Sequence, residues 1–454
     1  MSGIAALSPT SPRERFFAVR RCTFIAAIVA GTALHPGVVT GVYIGLCVWA
    51  LSGARQAIKA LSLSYMILLL NPVFRLPSSI GILRWLVLLI IGYRVVPLVS
   101  SKMLRTIVPL LLFYAVVVML SWISSAFFLI SFLKATIFFF CAAVVLIAFG
   151  TMDENGLADL KHWFFCLSGV VIVLSLPTLL IPSIGYARNG SGFQGLLNHP
   201  QAFAVFLAPV VVYLAAHLLM GNRRKGILEW ALGGGALVLL FLTKARIAMV
   251  TLFLGIIASF AVLVLRSKKD APFRPPYRPL LNIGIASVFL VSIISLSPEL
   301  SVSVERFWLK GNEKTVETAF YASRGKGIVY LLDRFLQKPY TGNGFGVDPT
   351  LANQGKIGTF LDLPISASVE KGFLPAAMLE EVGIVGVLVF LPFFWVLVKG
   401  ALDTGDIRLA AMFFACFLVN FGEAIFFSPG QTGGYLWLLI GLTTANGWSS
   451  RCAV

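Results

Sequence analysis

Lys244 and Arg246, in Leu242-Thr-Lys-Ala-Arg-Ile-Ala, form a short cationic turn between two long apolar runs. An arginine there presents a planar fork that matches phosphate oxygens, which makes a diphosphate a natural ligand; the competing use of such cations is to reach lipid headgroups. Arg188 opens a second polar segment that closes on His199-Pro-Gln201. His199 is one of four histidines, and its place just before Pro200 equally fits a hydrogen-bonded residue at a helix start. Glu380 and Glu381 precede Val382-Gly-Ile-Val-Gly386 and read as interface charges, while Glu423 sits in Asn420-Phe-Gly-Glu-Ala. A carboxylate in so apolar a setting needs a cation or hydrogen-bond donors beside it, or it takes up a proton.

The elements that carry these residues follow from composition. Of 454 residues, 58% are hydrophobic and 12% are charged, and the mean hydropathy is +0.91. A soluble fold cannot hide that much apolar surface, because even about 300 residues leave roughly a quarter of the chain surface exposed. The sequence therefore predicts an all-α polytopic membrane protein with about 12–14 transmembrane helices, at about 20 apolar residues per span. Expected spans include 105–124, 132–150, 161–181, 200–220, 226–242, 247–265, 280–297, 373–398, 409–427 and 435–447, with a break at His35-Pro-Gly37. Six cysteines without a CxxC pair read as small apolar side chains. No phosphate-binding glycine loop, HExxH or metal-spaced Cys/His cluster is present, so neither a metal nor a cofactor is expected.

The net charge of +17 is mostly a matter of topology. Basic clusters recur on alternate connections (Arg20 and Arg21, Arg55 and Lys59, Lys102 and Arg105, Lys161, Arg223 to Lys225, Lys399 and Arg408), which the positive-inside rule places in the cytoplasm, with both termini. The charge thus gives no reason to expect nucleic acid. The organisation read from the chain is a cytoplasmic tail at 1–21, a transmembrane bundle at 22–297, a large loop at 298–372 on the outer side and C-terminal transmembrane helices at 373–454. A loop of that length is usually functional or disordered. Order is indicated within it, since Ile328, Leu331, Leu332, Phe335 and Leu336 repeat at helical spacing and Pro339 stops the run.

Four elements in order carry a family resemblance: Arg188 with Gly192 and His199-Pro-Gln, then Thr243-Lys-Ala-Arg, then Ser323-Arg324 through Lys338-Pro-Tyr-Thr-Gly-Asn-Gly-Phe-Gly346, and last Glu381-Val-Gly-Ile-Val-Gly386. Together they resemble the O-antigen ligase and polymerase superfamily. The resemblance implies a GT-C-like bundle in the bacterial inner membrane. It also implies glycosyl transfer at the periplasmic face from an undecaprenyl-diphosphate-linked glycan, with no nucleotide sugar and no required metal. Arg246 and Arg324 match the family's diphosphate-binding arginines, with Arg188 and Lys244 as further candidates. Departure of a lipid diphosphate develops negative charge, which guanidinium groups stabilise.

One departure is specific. The family's ligases carry a histidine eleven residues before the first glycine of GxxG, and that position here is Gly372. The general base is then to be sought among Glu370, Glu381 and His199, in that order, unless positioning carries most of the rate. The expected activity is polymerisation of lipid-linked repeat units, with both donor and acceptor on the lipid carrier and with the pathway's flippase and chain-length regulator as possible partners. Ligation of finished glycan to lipid A-core is the alternative enzyme, and a lipid-linked glycan flippase or secondary transporter is the alternative of another class.

Overall fold

The structure, a computed structural model, describes residues 12–74, 80–188, 192–220, 226–270, 309, 315–348, 357–360, 363–367 and 371–452. The apolar runs fold as α1 (Pro12–Leu34), α2 (Pro36–Leu51), α3 (Ala54–Leu68), α4 (Ile80–Val95), α5 (Ser101–Ser124), α6 (Phe128–Gly150) and α7 (Glu154–Ser175). A short turn, α8 (Pro182–Gly185), leads to α9 (Pro200–Met220), α10 (Ile227–Leu242) and α11 (Arg246–Asp270). The loop region holds α12 (Val316–Phe320), α13 (Lys326–Gln337) and an antiparallel hairpin of β1 (Ile357–Phe360) and β2 (Leu363–Ala367), with Ile357 opposite Ala367. The chain closes with α14 (Leu374–Asp403), α15 (Ile407–Leu418) and α16 (Gln431–Cys452). Among the described residues, the regular elements other than this hairpin are helical.

Among the described residues, five helical stretches are long and apolar enough to cross a membrane: Met103–Ser124, Phe128–Gly150, Glu154–Leu180, Pro200–Leu219 and Leu374–Asp403. The chain is a helical membrane protein. The span expected at 280–297 lies outside the described residues, as do the first part of the large loop and residues 1–11. Residues 12–21, read from the sequence as tail, already belong to α1. At His35-Pro-Gly37 the break is a helix boundary, where His35 caps α2 by accepting the Gly37 amide at Nδ1, 3.0 Å away.

Two helices depart from the hydropathy reading for reasons in their polar groups. The span expected at 409–427 leaves α-helix at Leu418. There the Asn420 side chain donates to the Cys416 carbonyl and accepts the Ile425 amide, so it terminates the helix and starts a loop. Glu423 therefore sits on the α15–α16 connection, not within a span. The second case is α14, which is interrupted at Gly383 (φ 62°, ψ −172°), a conformation that only glycine adopts easily.

An aromatic knot fastens the middle of the bundle: Phe113 of α5, Phe138 of α6, Phe390 of α14 and Phe426, Phe427 and Trp437 near or on α16 meet at ring-centroid distances of 5.0 to 6.5 Å. Packing of this kind holds helices together where lipid removes the hydrophobic drive. One end of the bundle is tied by charge instead. Asp159 accepts from Arg21 (2.6 Å) and Lys59 (2.5 Å), joining α7 to α1 and α3. Asp406 accepts from Lys161 (3.1 Å) and Arg408 (2.8 Å), and His217 of α9 bridges Arg408 and Glu229 of α10. Burial alone would raise the Asp406 carboxyl, but Arg408 and Lys161 outweigh it and hold the group down at about 2.

Candidate functional site

Most of the residues singled out for chemistry lie at the opposite end, on or beside the connections between helices. Gly192 to His199 forms a strap across the ends of α3, α7 and α10. Its Phe193 and Gln194 amides donate to the Leu242 and Gly185 carbonyls, its Leu196 carbonyl accepts the Asn71 amide, and its Asn198 amide donates to the Leu69 carbonyl. Irregular backbone in a membrane protein persists where its polar groups are satisfied in this way. Two glycines of the strap are required by space: a Cβ on Gly192 would meet the Thr243 carbonyl oxygen at 2.7 Å, and Gly195 (φ 56°) lies against Ser175.

The strap ends at His199, which starts α9. Its Nδ1 accepts the Gln201 amide at 3.1 Å. In the neutral ring the proton then sits on Nε2, so that nitrogen donates and does not accept. The helix-start role anticipated from Pro200 is the one found, and it leaves the imidazole better suited to donate a hydrogen bond than to act as base.

His199 lines a cavity of about 330 Å³ together with Pro72, Arg188, Asn198, Gln201, Ala202, Val205, Glu423, Ile425 and Thr432. Glu423 is 9% exposed, and its Oε1 accepts from Arg324 Nη2 at 2.8 Å. The cation that its setting required is thus supplied by the loop, from the turn Tyr321–Gly325 that leads into α13. Arg246 lies within electrostatic reach of Arg324, and its neighbour Ile247 packs against Gly422, next to Glu423. Arg188 thus shares the cavity wall with Glu423, Arg324 is bound to that carboxylate and Arg246 lies near Arg324, an arrangement with surplus positive charge. Lys244 takes the left-handed conformation at φ 56° on the α10–α11 turn, is exposed and does not line the cavity.

Behind Arg324 is a second cluster. Its guanidinium lies directly over Gly372, where a Cβ would collide with Nη1 at 2.3 Å. The lack of a side chain at Gly372 makes room for Arg324. The preceding residue, Lys371, is buried and ion-pairs with both Glu380 and Glu381 (2.9 Å to Glu381), and it also donates to the Val347 carbonyl. Burial pulls the Lys371 ammonium down, but the Glu381 and Glu380 carboxylates outweigh it and hold the group above the ordinary lysine value. Glu380 and Glu381 are therefore not solvated interface charges. Glu381 lies in this buried triad and not on the cavity wall, and Glu370 lies outside the described residues.

The glycine-rich run locks the triad in place. The break in α14 leaves four backbone groups without helical partners, and Pro339 to Gly344 supplies them: the Ile384 and Val385 amides donate to the Pro339 and Tyr340 carbonyls, and the Glu380 and Glu381 carbonyls accept the Asn343 and Gly344 amides. Gly342 (φ 69°) approaches the Glu381 carbonyl so closely that any Cβ would strike it. Phe345 then inserts into the aromatic knot, 5.5 Å from Phe427. Lys134 of α6, within electrostatic reach of Glu381 and Lys371, donates to the Gly346 carbonyl at 2.5 Å.

Lys371 and Lys134 were missed by sequence reasoning. The available signal was the Glu380-Glu381 pair ahead of an apolar run, since two adjacent carboxylates entering a bundle require a buried cation. No protein-family model matches the chain, and no curated relative does.

Proposed function

We propose that the chain is a metal-independent glycosyltransferase that joins undecaprenyl-diphosphate-linked repeat units into exopolysaccharide or O-antigen. In this reading about 12–14 spans form a GT-C-like bundle in the bacterial inner membrane, both termini are cytoplasmic, and the end bearing the cavity is periplasmic. The observation that carries the reading is the cavity, where Arg188, His199 and Glu423 share a wall and Arg324 is bound to Glu423.

The arrangement suits the reaction as follows. Glu423 takes the proton of the acceptor hydroxyl, in the place that the sequence offered to Glu370, Glu381 or His199. The acceptor oxygen attacks the anomeric carbon, and the bond from that carbon to the phosphate oxygen breaks, leaving the electron pair on the lipid diphosphate. Protonation of Glu423 loosens its hold on Arg324 as that charge develops, which frees the guanidinium for the leaving group. Arg246 and Arg188 add to the same field, and His199 Nε2 is placed to donate.

One feature favours transport instead: a helix broken beside charged residues is common in secondary transporters. In this chain the break is filled by the chain's own Pro339–Gly344 segment, which takes up the Glu380 and Glu381 carbonyls and the Ile384 and Val385 amides. Purified protein in detergent, given a synthetic lipid-linked repeat unit, should yield a ladder of longer glycans on lipid. A lack of elongation, with movement of the same lipid across reconstituted vesicles, would replace the enzyme by the transporter.

A further inference from the structure

The broad apolar arc of helix α13 is covered along one edge only. Ile328 and Leu331 pack against Ala376 and Ala377 at the start of α14. A second stripe, Val329, Leu332 and Leu336, continued by Tyr340 after the helix, is exposed, with Leu336 and Tyr340 each at 69%. We propose that this second stripe lies in the surface of the phospholipid bilayer, making α13 an interfacial helix.

The depth of the segment is fixed by its attachments to two spanning helices. Lys338, at the end of α13, donates to the carbonyl of Ser124, the last residue of α5, at 2.7 Å. Tyr340 accepts the Val385 amide just beyond the break in α14. From Ile384 to Asp403, α14 retains about 20 residues, or about 30 Å, the thickness of the hydrocarbon core. The break therefore falls at the membrane boundary, and the nine or so residues before it project beyond. The exposed stripe is also continuous with the lipid-facing surface. Ile384, Leu388, Leu391 and Trp395 are exposed along α14 below Tyr340, and Trp122 and Ile123 are exposed next to Ser124.

Charge agrees with a lipid partner. Lys326, Arg334 and Lys338 outnumber Asp333 and Asp348, the latter held by the Tyr330 hydroxyl, and long cationic side chains of this kind reach anionic headgroups. A water-facing helix tip gains nothing from a leucine and a tyrosine at the site of a span end. Arg324 stands two residues before α13, so an immersed α13 holds its guanidinium near headgroup depth. For the glycosyltransferase reading, on which this consequence alone rests, that is the level of a lipid-linked diphosphate.

The test requires no glycan and so stands apart from the proposed reaction. A photoreactive benzoyl-phenylalanine is placed at Leu332 or Leu336 of the full chain, at Leu388 as the lipid-facing reference and at Asp333 as the polar one. Each variant is irradiated in nanodiscs of phosphatidylethanolamine and phosphatidylglycerol and analysed by mass spectrometry. Lipid adducts at Leu332 and Leu336 comparable to Leu388, and roughly tenfold above Asp333, are expected for an immersed stripe. Adducts at Leu388 without any at Leu332 or Leu336, or cross-links from these positions to protein in place of lipid, would overturn the proposal.

Discussion

Arg324 and Glu423 form an ion pair at 2.8 Å that ties the loop to the α15–α16 connection, across 99 residues of sequence. The pair is only partly buried, with side-chain exposures of 29% and 12%, and its carboxylate faces the cavity. Burial penalises both charges while it strengthens their attraction, so a pair so placed is weak evidence of net stability. Its value is positional: it orients a guanidinium and a carboxylate on one wall, and proton uptake by one partner releases the other.

Replacement of Arg324 by Ala should lower the elongation rate about 100-fold or more, the usual loss when a donor to a developing anion is removed. Lysine should rescue poorly, because an ammonium lacks the fork that spans two phosphate oxygens. Elongation by purified protein, compared at equal amounts, measures both. An Arg324→Lys variant with wild-type rate would remove the bidentate role.

Glu423→Gln keeps the shape and an oxygen to accept from Arg324 but cannot take a proton. A general base contributes about 100- to 10,000-fold, so a loss within that range is expected at unchanged thermal stability. A merely positioning carboxylate would leave Gln nearly active. The pH profile separates the two, because removing the base should also abolish the acid limb of the rate.

At the buried triad, Lys371→Met leaves Glu380 and Glu381 without their shared cation. Breaking a buried pair by removing one partner costs about 3 to 5 kcal/mol, and the melting temperature in detergent should fall accordingly. Adding Glu380→Gln and Glu381→Gln to Lys371→Met should recover much of the loss. If the triple variant melts no higher than the single one, uncompensated charge is not the cause.

Much of the fold was legible because apolar run length decides it: α9 (Pro200–Met220) and α10 (Ile227–Leu242) match the expected 200–220 and 226–242 to within one residue. The polar interruptions were not. Gly383-Ile-Val-Gly386 reads as continuous helix, since nothing local shows that Tyr340 and Asn343 will fill a break there. Likewise Asn420 looks like one polar residue in a span, and its capping bonds exist only once the chain turns. At the site, the requirement of Glu423 for a cation followed from its surroundings, but the choice of Arg324 depended on loop packing. Lys371, in a mixed-charge loop, gave no sign of burial.

The charged end offers a check on pH. Asp406 has its carboxyl held at about 2 by Arg408 and Lys161, below the ordinary 3.8. A depressed acid contributes stability above its unfolded value and loses it as pH falls through its folded one. The shift corresponds to roughly 2 kcal/mol at 1.36 kcal/mol per unit, present at neutral pH and lost between about 4 and 2. Asp406→Asn should therefore melt lower than the wild type at pH 7, by an amount of that order, and the two curves should approach each other as the detergent sample is acidified from about 4 to 2. A difference that stays constant over that interval would mean that Asp406 acts through its hydrogen bonds to the Arg408 amide and the α14–α15 turn, which Asn can partly keep, and not through its charge.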